Sequence, residues 1–150
     1  MMSYLDTSFL CALYVPQSTS GRAIAIIESM SVSLETTSLL FFEFRQSVHF
    51  QAFRHVKDRS QGYPLGVAQA ALAALQADVK VGLYCHAAVD WADVHQIAER
   101  LAFQHTLQGG HRSFDILHVA TALHLGASEF LTFDVSQKKL AQAEGLAVPL

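Results

Sequence analysis

Residues 3–10, SYLDTSFL, decide the fold predicted for this chain. Residues 3–5 are typical of a short buried strand, and the residues after Asp6 are typical of a helix. A carboxylate beside so much apolar sequence is costly to bury unless it is paired, hydrogen-bonded or bound to a metal. Asp6 is therefore the first candidate for a functional residue.

The rest of the chain alternates between strand and helix patterns. Strands are predicted over residues 32–36, 80–89, 129–134 and 146–150, and helices over 21–30, 39–56, 66–79, 90–106, 113–125 and 135–145. Strands that alternate with helices imply a parallel sheet with helices on both faces. No linker, repeat or low-complexity segment divides the sequence, so we expect a single α/β domain over residues 1–150.

Composition limits the class of protein. Hydrophobic residues make up 51% of the chain and charged residues 15%, which argues against disorder. No apolar run reaches the roughly 18–20 residues that span a bilayer, and the start lacks the basic segment of a signal peptide. Two cysteines in apolar surroundings favour free thiols, so we expect a cytoplasmic protein without membrane contact. The net charge of −3 is not that of a protein that coats nucleic acid.

Three further acidic residues stand in equally apolar surroundings. Glu43 lies inside LLFFEFR, Asp115 opens FDILHVATALHLG, and Asp134 closes SEFLTFD. Asp6 and Asp134 are predicted at the carboxyl ends of strands, where parallel sheets collect functional groups. Asp115 is expected in the first turn of a helix, and Glu43 on the apolar side of another. All four side chains can therefore face one cleft.

Clustered carboxylates repel one another unless a cation lies between them. Mg²⁺ fits such a site because it prefers oxygen ligands and retains several waters. A bound Mg²⁺ can orient a water, lower the pKa of that water and stabilise charge on a phosphoryl oxygen. The pattern therefore predicts hydrolysis of a phosphodiester without a covalent enzyme intermediate.

Each acid also has a purely structural interpretation. Asp6 can cap the following turn, and Glu43 can pair with Arg45 or another arginine. Asp115 can be an N-cap, and Asp134 can be a turn residue. Their joint placement favours one metal site over four unrelated structural roles.

In four short segments the sequence resembles a PIN domain, in particular a VapC-type toxin of a bacterial toxin–antitoxin pair. The segments are YLDTSFL, FFEFRQS, HRSFDILHVATAL and FLTFD, and they carry the four acids in the order of the family. The resemblance covers nearly the whole chain and implies an endoribonuclease that depends on Mg²⁺ or Mn²⁺. It further implies a homodimer that is silenced by a small antitoxin encoded beside it.

The same resemblance implies supporting roles for three hydroxyl groups. Those of Thr7, Ser8 and Thr132 match positions that buttress the acids in such proteins. One departure concerns the end of the pattern, where some members have a further acid shortly after the fourth. Here VSQKK follows Asp134, so Asp134 is the acid whose role most needs a test.

Basic residues near the acids have two interpretations each. His111 and Arg112, in the loop before Asp115, are candidates for contact with an RNA phosphate, or else solvated loop residues. Arg45 can pair with a nearby acid or reach RNA. His118, three residues after Asp115, can contact the site or line the core or cleft.

The helix predicted over residues 39–56 is rich in aromatic side chains. They are Phe41, Phe42, Phe44, Phe50 and Phe53. Burial in the core, in a dimer or under an antitoxin is favoured over stacking on bases, because so apolar a face suits a protein partner.

Two other functions compete with RNA cleavage. A phosphatase that forms an aspartyl-phosphate on Asp6 is one, but LDTSF has Ser8 where such enzymes have a second Asp. A catalytically silent binding module is the other, and the presence of all four acids argues against it.

Overall fold

Four short strands form one parallel sheet in the computed structural model, which describes residues 1–31 and 34–150. The strands are β1 (Ser3–Leu5), β2 (Leu34–Thr36), β3 (Tyr84–His86) and β4 (Glu129–Leu131), in the order β3-β2-β1-β4. Val32 and Ser33, the first two residues of a predicted strand, lie outside the described residues. The predicted α/β fold with a parallel sheet is confirmed.

Helices occupy most of the sequence between the strands. They are α1 (Thr7–Tyr14), α2 (Ser20–Ser29), α3 (Ser38–Lys57), α4 (Leu65–Lys80), α5 (Trp91–Leu101), α6 (Leu107–Gly109), α7 (Ser113–His124) and α8 (Val135–Ala143), with a π-helical segment over Ala102–Thr106 that joins α5 to α6. Within the described residues, none of these helices is long and apolar enough to cross a membrane.

Each face of the sheet has its own hydrophobic core, because alternate strand residues point to opposite faces. Leu5 and Leu131 pack with residues of α1, α2, α3 and α4. Tyr4 and Phe130, which lie opposite each other on β1 and β4, pack with residues of α5, α7 and α8. The sheet is therefore covered by helices on both faces, as predicted.

The strand predicted over residues 80–89 is shorter in the structure. α4 continues through Lys80, and β3 begins only at Tyr84. Strong helix formers, mainly alanine and leucine, fill α4 and extend it beyond its predicted end. Gly82, with a φ of 78°, then turns the chain toward β3.

The two strands predicted near the end of the chain are also reduced. β4 ends at Leu131, because the Thr132 hydroxyl accepts a hydrogen bond from the Asp134 N–H (2.9 Å) and the chain turns out of the sheet. Residues 146–150 contribute a single bridge to β4, at Ala147. The proline in this segment has no N–H with which to extend the ladder.

The turn between α3 and α4 provides a test of this packing. Gly62 has a φ of 57°, and a Cβ atom there would lie 2.0 Å from the carbonyl oxygen of Gln51. Gly82 also has a positive φ but open space around its Cβ position. Gly62→Ala should lower the free energy of unfolding by about 2–4 kcal/mol, and Gly82→Ala by about 1–2 kcal/mol. Urea unfolding measures both losses, and equal losses would contradict the close contact.

Candidate active site

The carboxylate of Asp6 lies immediately after β1 and is fully buried. Its Oδ1 accepts hydrogen bonds from the Ser8 hydroxyl (2.7 Å) and the Phe9 N–H (2.9 Å), and its Oδ2 accepts one from the Thr132 hydroxyl (2.6 Å). Burial raises the pKa of Asp6 to about 6, although these three bonds act to lower it. The three hydrogen bonds therefore do not fully offset the free-energy cost of burying the ionised carboxylate.

Backbone groups fix the direction of the two hydroxyls that hold Asp6. The Ser8 oxygen accepts a hydrogen bond from the Phe133 N–H, and the Thr132 oxygen accepts one from the Asp134 N–H, both at 2.9 Å. Each hydroxyl has one proton, which is then directed at Asp6. These bonds join the end of β1 to the turn between β4 and α8.

The carboxylate of Glu43 projects from α3 toward the same end of β1. Its Oε2 accepts hydrogen bonds from the Thr7 hydroxyl (2.5 Å) and from Nε2 of His118. Partial burial raises the pKa of Glu43. Hydrogen bonds from His118 and Thr7, together with the charges of His118 and Arg112, outweigh that effect and hold the pKa below its ordinary value. Glu43 is therefore stably ionised, in contrast to Asp6.

His118 connects the acids to the second core. The side chain is fully buried, and its Nδ1 lies 2.9 Å from the Tyr4 hydroxyl. Burial raises the pKa of Tyr4, so the phenol keeps its proton. Since the Glu43 carboxylate only accepts hydrogen bonds, Nε2 of His118 carries a proton and donates it. His118 thus fixes the position of Glu43 from α7. The sequence had allowed either contact with the site or a place in the core or cleft, and His118 is both buried and in contact with the site.

Asp115 is buried in the first turn of α7, one turn before His118. Its Oδ2 accepts a hydrogen bond from Nε of Arg112 at 3.3 Å. The Arg112 side chain is 80% exposed, and its charge also acts on Glu43. Arg112 is thus the cation that the structure brings to two of the acids.

Asp134 is the N-cap of α8, and its Oδ1 accepts a hydrogen bond from the Gln137 N–H at 2.8 Å. The side chain is half-buried. Asp134 is linked to Asp6 through Thr132, which accepts from the backbone of one and donates to the side chain of the other. Oδ1 of Asp134 therefore has a purely structural role at the start of α8, whereas Oδ2 takes no part in the cap.

The oxygens of these acids suit a hard cation in kind, but they are not assembled around one point. Among the described residues, no three His, Cys, Asp or Glu side chains are arranged to hold a metal ion. Glu43 and Asp115 are each turned toward a protein donor. Each uses only one of its two oxygens, so within the described chain Oε1 of Glu43 and Oδ1 of Asp115 have no hydrogen bond. The oxygen chemistry of these donors and the raised pKa of Asp6 suit a divalent cation, although the described side chains are not gathered around one position.

The other predicted contact residues lie in different places. Arg45 does not pair with Glu43 in the described structure, and its guanidinium lies 5.7 Å from the centre of the Phe41 ring. Nδ1 of His111 lies 3.0 Å from the hydroxyl of Ser136, at the start of α8. Glu43 therefore pairs with His118 and not with Arg45, the arginine that its structural interpretation named.

Comparisons with known proteins agree with this architecture. The family model of the PIN domain matches residues 3–143. VapC20 of Mycobacterium tuberculosis, a toxin that cleaves the sarcin–ricin loop, is 19% identical with a TM-score of 0.66, over 97% of this chain and 96% of that chain. No curated protein matches the chain.

Two further solved structures are similar at comparable identity. VapBC2 of Rickettsia felis, bound to a DNA fragment from its promoter, is 16% identical with a TM-score of 0.60, over 99% of this chain and 97% of that chain. FitAcB of Neisseria gonorrhoeae is 18% identical with a TM-score of 0.59, over 98% of this chain and 96% of that chain. At these identities the likeness concerns the fold.

The pKa of Asp6 leads to a prediction about stability. Because the pKa is about 6 in the folded protein and ordinarily 3.8, ionisation of Asp6 favours the unfolded chain. The contribution of protonated Asp6 to the free energy of unfolding is complete below pH 3.8, and it is lost as the pH rises through about 6. Without metal, this loss should be about 3 kcal/mol and should be absent from Asp6→Asn. Urea unfolding in EDTA across this pH range measures it, and parallel curves for the two proteins would contradict the assignment.

A double-mutant cycle tests the contact between Glu43 and His118. Glu43→Gln and His118→Leu should show a coupling free energy of about 1–3 kcal/mol, because the contact is partly buried and charge-assisted. Glu28 is exposed on α2 and provides the matched control. The cycle of Glu28→Gln with His118→Leu should give a coupling within about 0.5 kcal/mol of zero. Equal coupling in both cycles, measured by urea unfolding, would contradict the contact.

Proposed function

Since this chain belongs to the PIN domain family, we propose that it is a metal-dependent endoribonuclease that hydrolyses RNA phosphodiesters, and the toxin of a toxin–antitoxin pair. The carboxylate of Asp6 carries the proposal. It is fully buried, and its pKa is raised to about 6 even with three hydrogen-bond donors in place. A buried carboxylate of this kind is stabilised by a cation, and Glu43 and Asp115 border the same region around His118.

The proposed metal ligands are Asp6, Glu43, Asp115 and Asp134. Oxygen donors of this kind suit Mg²⁺, with Mn²⁺ as the alternative. The ion, when bound, supplies Lewis-acid stabilisation of charge on the phosphate and lowers the pKa of a water. One oxygen of Asp134 caps α8, which leaves Oδ2 as its proposed ligand atom.

The other residues of the site are proposed to position these acids. Ser8 and Thr132 direct their protons at Asp6 and so fix the orientation of its carboxylate. Within the described chain, Thr7 and His118 both hold Oε2 of Glu43, and Oε1 makes no hydrogen bond. In this arrangement the acids are oriented before substrate binds, which lowers the cost of reaching the reactive geometry.

Positive charge near the acids is proposed to bind the RNA. Arg112 is mostly exposed and already acts on Asp115 and Glu43, so its guanidinium can contact a phosphate of a bound RNA. His111 lies beside α8 and is a second candidate. Arg45 faces Phe41 and is the weakest of the three.

The partner proteins are proposed from the family and from the exposed aromatic residues of α3. Phe42, Phe50 and Phe53 are each at least half exposed, which is unusual for such large apolar side chains. We propose that a second copy of the chain or an antitoxin covers this face. A toxin that acts on cellular RNA would work in the cytoplasm, and the whole chain would form one PIN domain.

Substitution of the acids tests the proposed nuclease. Asp6→Asn and Asp115→Asn should each lower the rate of RNA cleavage in Mg²⁺ by roughly 10²–10³, because each removes charge at the reacting centre. Exposed Glu28 again provides the control, and Glu28→Gln should cleave at the wild-type rate. Wild-type activity in either aspartate variant would refute the site, provided that EDTA abolishes activity of the parent protein.

The same variants separate the competing functions. Mg²⁺ should raise the Tm of the wild-type protein and not that of Asp6→Asn, a readout that does not depend on activity. Trapping of Asp6 by beryllofluoride would instead favour the phosphatase. A folded protein with neither metal-dependent stabilisation nor nuclease activity would favour the silent binding module.

A further inference from the structure

A pocket of about 290 Å³ lies beside Asp134, at the start of α8. Its walls include Thr132 and Asp134, and Thr132 also donates a hydrogen bond to Asp6. Two cations line the same pocket, Arg22 from α2 and Lys138 from α8. The pocket therefore borders one of the proposed metal ligands and has two positively charged side chains in its wall.

Aromatic packing holds Arg22 at the pocket wall. Its Cζ lies 5.7 Å from the centre of the Phe133 ring, which stacks on Phe9 with 5.5 Å between ring centres and an interplanar angle of 6°. Among the residues that the structure describes, Arg22 forms no ion pair. A guanidinium held in this way offers a planar array of N–H donors to an anion.

Lys138 supplies the second charge. Its ammonium donates one hydrogen bond to the backbone oxygen of Leu150, the last residue of the sequence, and an ammonium has three N–H donors. Asp134 is the one acid among the described lining residues, and its Oδ1 already accepts a hydrogen bond from the Gln137 N–H. Within the described chain, the side chains that line the pocket thus include two cations and one carboxylate, which is partly engaged.

We propose that Arg22 and Lys138 bind a backbone phosphodiester that flanks the cleaved one in the RNA, an inference that rests on the proposed nuclease function. A tetrahedral oxyanion suits a guanidinium fork with a neighbouring ammonium. The cavity has room for such a group but not for a folded element of a protein. Because Asp134, a proposed metal ligand, lines this pocket, an RNA strand with one phosphate at the acids would carry a neighbouring phosphate past Arg22 and Lys138.

Binding of RNA by a cleavage-deficient protein tests the proposal. The double variant Arg22→Gln/Lys138→Gln is made in the Asp6→Asn background, and its matched control is Arg59→Gln/Lys80→Gln, which removes two exposed cations elsewhere. The probe is a short fluorescent single-stranded RNA of mixed sequence, followed by anisotropy over a range of KCl concentrations. The pocket variant should bind about tenfold more weakly than the control.

The salt dependence of RNA binding and a variant that keeps both charges provide two further tests of the pocket. Loss of one phosphate contact should reduce the slope of log affinity against log salt by about 0.7. Arg22→Lys/Lys138→Arg keeps both charges and should retain most of the affinity, whereas a purely structural role would not be rescued in this way.

The outcomes distinguish the pocket from the nuclease function. If the wild-type protein cleaves RNA and the pocket variant binds as tightly as its control, the pocket assignment is wrong and the nuclease proposal stands. Equal weakening in the pocket variant and the control would also overturn the assignment, since binding would then follow net charge alone. If the protein neither binds nor cleaves RNA, both proposals fail.

Discussion

The burial of the Asp6 carboxylate is the constraint on which the site depends. Three neutral donors, from Ser8, Phe9 and Thr132, lie within hydrogen-bond distance, yet burial still raises the pKa to about 6. Desolvation thus outweighs three hydrogen bonds. Because these donors come from α1 and from the turn after β4, the bonds that orient the carboxylate also fix how two helices leave the sheet.

In Glu43, neighbouring donors and charges outweigh burial, which is the opposite of the balance at Asp6. His118, Thr7 and Arg112 together hold the pKa of Glu43 below the ordinary value. Both carboxylates have hydrogen-bond donors, but Glu43 is less buried and also lies near the charges of His118 and Arg112. His118 reaches Glu43 from α7 while its other nitrogen contacts Tyr4 of β1, so the network ties two helices to the central strand.

The sequence was sufficient for the fold and for the candidate acids, because periodicity and apolar surroundings are local signals. The partner of Glu43 was not local. Residues two apart on a helix point about 200° from each other, which explains why Arg45 faces Phe41. His118 becomes the partner of Glu43 because α7 lies close to α3, and no pattern in the sequence predicts that approach. The end of β4 likewise depends on one hydrogen bond from the Asp134 N–H to Thr132.

The two engaged acids differ in how easily a cation can reach them. Asp115 is held by Arg112 at 3.3 Å through a side chain that is 80% exposed, and such pairs contribute at most about 1 kcal/mol. The contact between Glu43 and fully buried His118 is much harder to break, because it would leave a buried donor unpaired. In the proposed nuclease, Asp115 could therefore exchange Arg112 for a metal ion at little cost, whereas Glu43 would keep its contact with His118. The guanidinium of Arg112 would then be free to contact a phosphate of the proposed RNA substrate.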